Sequence, residues 1–87
     1  MKNVLHVTGP LTLETVNAEL LRGMAWIKQH DGIIDLQQVT RADSAGVALL
    51  IEWIRFAKQQ NRSIQFEHLP EQLLTLMRVS GLDILLK

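Results

Sequence analysis

From Ile33 to Ala57 the chain passes, with no linker, from a strand-like run I-I-D-L-Q-Q-V through an acidic and hydroxylic turn into a long apolar helix. This junction constrains the fold most, because a strand feeding directly into a helix is half of an α/β crossover. Its centre, Ala42 to Ile51, reads A-D-S-A-G-V-A-L-L-I and places Ser44 at a helix start, where free backbone N–H groups favour oxygen or negative charge.

The flanking segments repeat the alternation. Val4 to Thr8 is a β-branched and aliphatic run that is expected to stop at the Gly9-Pro10 turn signal. Thr12 is then the expected N-cap of a helix whose apolar stripe is Leu13, Val16, Leu20, Met24 and Ile27, broken by His30-Asp31-Gly32. Ile33 to Val39 is the second strand. Ser63 to Glu67 alternates as a third, and Pro70 opens a last helix, lined by Leu73, Leu76, Met77 and Ser80 and ended by Gly81. Ile84 to Leu86 adds a short final strand. The order strand, helix, strand, helix, strand, helix predicts an α/β fold with right-handed crossovers between parallel neighbours.

The helix from Ala45 to Gln60 has too many apolar residues for one stripe. At 100° per residue, Val47, Leu50, Ile54 and Ala57 form one face and Leu49, Trp53 and Phe56 a second, together an arc of roughly 220°. Either another helix of the same domain covers the second face or a partner protein does.

Eighty-seven residues predict a single domain over 1–87, which at this size buries about 60% of the surface of the unfolded chain. Nine basic residues balance nine acidic ones, so the field that attracts nucleic acid or an anionic bilayer is missing. With no Cys there is no disulfide framework or thiolate zinc site. No stretch has the length of a signal peptide's apolar region or of a membrane span, and a cytoplasmic protein with no direct membrane insertion is expected.

The residues offer little to catalysis. His6, His30 and His68 fall in a strand, a turn and a loop entry without metal-ligand spacing, and neither a metal nor a cofactor is expected. Nucleophile-elbow, P-loop and dinucleotide motifs are absent, and Asp35 with Asp43 is a weak carboxylate pair. No catalytic residue is assigned. At the turn, Ser44 as the helix cap, Asp43 at the positive end of the dipole and Gly46 relieving crowding make one reading. A contact or switch surface makes the other, since Gly within a helix costs about 1 kcal/mol relative to Ala and its missing side chain admits a partner's approach. A phosphate on Ser44 would repel such a partner.

The strand Ile33 to Val39, the run R-A-D-S-A-G-V-A-L-L from Arg41 to Leu50 and the closing L-M-R-V-S-G-L from Leu76 to Leu82 resemble STAS domains, the fold of anti-sigma factor antagonists. The resemblance spans essentially the whole chain and implies a STAS-like fold, a small mixed or parallel sheet with helices packed against it. The chain reaches its G-P-L-T turn after one strand where STAS domains usually have two, so the N-terminal edge strand is read as trimmed, and the open edge at Val4 to Thr8 admits a homodimer. In the antagonists the Ser of D-S-x-G is phosphorylated, a position that falls here on Ser44. Ala45 stands where many of them carry a further Ser.

Within the family, G-V-A-L-L-I-E-W-I-R-F-A from Gly46 to Ala57 is more similar to the small STAS subunits of Mla-type phospholipid transporters. That implies a non-enzymatic accessory subunit in the cytoplasm, held near the inner membrane by the ATPase subunit of an ABC complex that maintains outer-membrane lipid asymmetry. The implied partner-binding residues are Asp43, Ser44, Ala45, Gly46, Leu49 and Trp53. The alternative is an anti-sigma factor antagonist regulated by phosphorylation of Ser44.

Overall fold

A computed structural model describes residues 3–86. Three parallel strands, β1 (Asn3–Leu11), β2 (Gly32–Ala42) and β3 (Ile64–Glu67), lie in the order β1-β2-β3. Helices α1 (Val16–Gln29) and α2 (Ser44–Gln59) make the two crossovers. Helix α3 (Glu71–Val79) follows β3, and a short 3-10 turn, Asp83–Leu86, closes the described chain. Leu5, Val7 and Leu11 of β1, Ile34 and Leu36 of β2, and the inner faces of the helices form one buried cluster. Strand period two puts His6 and Asp35, paired across the register, on the opposite face of the sheet.

Strand β1 does not stop at Gly9-Pro10. It continues to Leu11, which pairs with Ala42, through two irregularities in register between His6 and Thr8 and between Gly9 and Leu11. Gly9, at φ +79°, absorbs the bulge, and Pro10 is tolerated because β1 is an edge strand. The longer strand moves the start of the first helix as well. Thr15, not Thr12, precedes it, and the Thr15 hydroxyl donates to the Pro10 carbonyl (2.7 Å) without capping the helix. Leu13 lies ahead of the helix and is 78% exposed, so it is not part of the buried stripe.

The helix ends follow from sequence more directly. Gly81 (φ +71°) ends α3, with Leu82 N–H donating to Met77 O (2.7 Å) and Gly81 N–H to Arg78 O (3.1 Å), the paired bonds of a Schellman motif. Asn61 (φ 56°) does the same for α2, where Arg62 N–H reaches Ala57 O (2.8 Å). The expected last strand at Ile84 to Leu86 is instead the 3-10 turn. Leu82 and Leu86, four apart, pack on the core while Ile84 is 67% exposed, a pattern that one helical turn satisfies and a strand does not.

The second apolar face of α2 is covered from within. Leu49 and Trp53 are 3% and 0% exposed. Trp53 lies against α1, where its indole N–H donates to Leu20 O (3.3 Å) and where Gly23 leaves room for it. A Cβ at Gly23 would stand 2.2 Å from Trp53 Nε1. Leu49 and Trp53 therefore belong to the α1–α2 contact, and their expected place on a partner-binding surface is withdrawn.

Candidate functional site

The turn between β2 and α2 is built by Asp43. Its backbone N–H donates to Leu11 O (3.2 Å), Oδ1 accepts from Ala45 N–H (2.8 Å), and its carbonyl accepts from Gly46 N–H (2.9 Å). Oδ2 also faces the Leu13 N–H at 3.4 Å. The cap is thus Asp43 and not Ser44, which corrects the expected division of roles. Carboxylate and dipole are matched there, and the end of β1 is tied to the start of α2.

Ser44 is consequently released. It is the first residue of α2, exposed, and its hydroxyl has no hydrogen-bond partner among the described residues. Ala45 is half-buried beside it. Gly46 is buried, and its lack of a side chain serves the protein's own packing: a Cβ there would come within 3.1 Å of both Leu11 O and Leu73 Cδ2. The close approach that this glycine permits is between α2, the end of β1 and α3, so Gly46 is not an exposed contact point.

Two shallow grooves meet at Ser44. One, of about 550 Å³, runs between the turn and α3 and is lined by Ala42, Asp43, Ser44, Glu71, Gln72, Thr75 and Leu76. The other, of about 470 Å³, runs between α1 and α2 past Leu13, Val16, Asn17, Leu20, Ser44, Ala45, Ala48, Leu49 and Glu52. Gln72 fixes the first groove, since its Oε1 accepts the Ala42 N–H at 2.9 Å and docks α3 on the end of β2. Asp43, Glu71 and Glu52 give both grooves an acidic rim.

Glu71, Gln72 and Thr75 escape a reading of the sequence. They lie about thirty residues beyond the turn, on the polar side of a helix, with no motif to join them to it. Leu13 was accessible to such a reading only as a core residue; its exposure beside the second groove depends on where α1 begins.

On the other face of the sheet, His6 and His68, read separately as structural or solvated, come together on Asp35. His68 Nδ1 lies 3.0 Å from Asp35 Oδ1, and His6 Nδ1 lies 3.8 Å from Oδ2. The Gln37 N–H donating to Oδ1 (2.9 Å) holds the Asp35 carboxyl below its usual value; partial burial opposes this and His68 adds to it. Asp35 and Asp43 do not share a site, because eight residues of extended strand put them roughly 25 Å apart. Among the described residues no three His, Asp or Glu side chains are grouped so as to hold a metal ion.

A parallel sheet with helices packed on it, carrying an exposed hydroxyl on a carboxylate-capped helix start, defines a small α/β module with a surface site. The chain belongs to the STAS domain family: the family model described as Mlab, STAS domain matches residues 2–87. Solved structures share the fold. The sulfate transporter family protein from Wolinella succinogenes is similar with a TM-score of 0.75 and 15% identity, over 98% of this chain and 70% of that one. The anti-sigma factor antagonist SpoIIAA in its unphosphorylated form gives 0.63 and 20%, over 90% and 71%. A structure of Mglu gives 0.66 and 22%, over 80% of this chain but 18% of that one. No curated protein matches the chain. No helix among the described residues is long and apolar enough to cross a membrane.

Proposed function

We propose that this chain is a non-enzymatic accessory subunit that binds the ATPase of a phospholipid-transporting ABC complex and supports its assembly or turnover. The observation that carries the reading is the free Ser44 hydroxyl at the meeting point of two shallow grooves, on a chain of the Mlab-type STAS family. A broad, open surface of this kind suits a protein partner better than a small molecule, which needs a concave site that buries most of it. In the proposed complex Ser44 and Ala45 form the contact centre and Asp43 holds them in place. The acidic rim of Asp43, Glu71 and Glu52 calls for cationic groups on the ATPase. The complex would hold the chain at the inner membrane through its partner.

Co-purification with the cognate ATPase tests this. Ser44→Arg puts a long side chain on an exposed position, so folding is unchanged while complex formation falls at least tenfold and the ATP turnover that depends on it falls with it. A complex that survives the substitution rules the surface out. Phosphorylation of Ser44 by a kinase that also sequesters a sigma factor, detected by mass spectrometry, would replace this reading with that of an anti-sigma factor antagonist.

A further inference from the structure

We infer that the free edge of β3 is a second binding site, one that takes an extended peptide segment with acidic residues at the end beside Lys58 and Arg62. Among the described residues strand β3 pairs only with β2. The Gly32 N–H donates to Ser63 O (3.0 Å), which sets the phase of the parallel ladder so that Gln65 and Glu67 face β2. The N–H and C=O groups of Ile64 and Phe66 therefore point away from the sheet, and no backbone bond to them is formed among the described residues. Two donors and two acceptors in a row make a template for one added strand.

An unpaired edge alone is common, and a four-residue strand can be a blunted edge with no partner. Three features set this one apart. The edge opens into a groove of about 660 Å³ instead of bulk solvent. The 3-10 turn also lines the groove, adding the exposed Ile84 and Leu85 to Ile54 of α2. The 3-10 turn occupies the sequence where a last strand was expected and forms no ladder with β3, so the groove lies between them.

Charge chooses the occupant. Lys58 and Arg62 line the groove where α2 leads into β3, and Glu67 lies at the opposite end of the strand. Arg62 already spends part of its charge, donating to Lys28 O (2.8 Å) and standing 3.7 Å from Asp31, whereas Lys58 forms no ion pair among the described residues. A segment with acidic residues beside Lys58 and none beside Glu67 is matched to both ends of the groove. A basic residue at that end is repelled.

The test uses the whole chain, isotope-labelled, and two heptapeptides of alternating valine and threonine, one ending in a glutamate pair at its N-terminus and one at its C-terminus. Amide spectra should show the Ile64 and Phe66 N–H signals moving downfield and exchanging more slowly with at least one of the two, while Gln65 and Glu67 move less. Peptides methylated on every backbone nitrogen should lose the effect, and Lys58→Glu should weaken binding about three- to fivefold, the scale of one exposed ion pair, while favouring a lysine-ended peptide. If neither peptide moves the Ile64 and Phe66 amides, or if methylated peptides move them equally, the inference fails. It fails too if those amides shift with protein concentration alone, since the occupant is then a second copy of the chain. None of these readings involves Ser44, so the outcome is separable from that of the ATPase experiment.

Discussion

Two parts of one helix, the Ser44 turn and the Leu49–Trp53 flank, look alike in sequence as surfaces awaiting a partner, yet only the first is accessible. The flank is closed by α1, because Gly23 leaves the space that the Trp53 indole fills. The turn stays open because Asp43, not Ser44, satisfies the first N–H groups of α2. Apolar periodicity records which residues avoid water and is silent on whether the cover comes from the same chain. The identity of a cap decides which neighbouring side chain is left over.

The contrast breaks most visibly at Trp53. Trp53→Ala should cost about 3–5 kcal/mol, as for other large aromatic truncations in cores, and so remove much of the stability of a domain this small. Urea unfolding followed by circular dichroism measures it, and a loss below about 1 kcal/mol would return the flank to the surface. Gly23→Ala attacks the same contact from the other side. Its Cβ would meet Trp53 Nε1, Cε2 and Cζ2 at 2.2–2.6 Å, and overpacking of this kind costs about 1–3 kcal/mol. Because both changes act on one contact, the double variant should cost less than their sum, a coupling that unfolding of all three variants reveals.

At the turn the order of effects reverses between neighbours. Asp43→Ala removes the cap and should cost about 1 kcal/mol, whereas Ser44→Ala should stay within about 0.5 kcal/mol. Equal losses at the two positions would mean that Ser44 shares the capping role.

The smallest effect belongs to the far face of the sheet. Asp35 is depressed in the folded state by the Gln37 N–H first and by His68 next. The stability that it contributes is complete above its unfolded value of 3.8 and is lost as pH falls through the lower folded value. Asp35→Asn should therefore flatten the acid limb of the stability curve below about pH 4 and leave the Ser44 surface unchanged, which urea midpoints across that range would show.

Much of the fold is legible because its signals are local. The D-S-A-G turn marks the start of α2, Gly81 ends α3, and Ile64 to Glu67 alternates as a strand. Strand β1 was harder to read, since Gly9-Pro10 is a turn signal in isolation and becomes a tolerated bulge only with β2 alongside. The final residues were harder still: a three-residue apolar run has no period, and packing of Leu82 and Leu86 on the core chose the 3-10 turn. At the site, Asp43 and Ser44 were visible and their roles were exchanged. Glu71, Gln72 and Thr75 were invisible, because nothing in a sequence brings α3 beside a turn about thirty residues earlier.

Sequence by itself determined the alternation of elements, the parallel α/β class and the position of the helix start, all of which rest on side-chain period, turn chemistry and caps acting over a few residues. Tertiary structure decided which apolar face is interior, why Gly46 must lack a side chain, and which hydroxyl remains free. Those outcomes depend on close approaches between elements far apart in the chain, Gly23 to Trp53 and Gly46 to Leu11 and Leu73, where tenths of an ångström determine what can be packed and what is left for a partner.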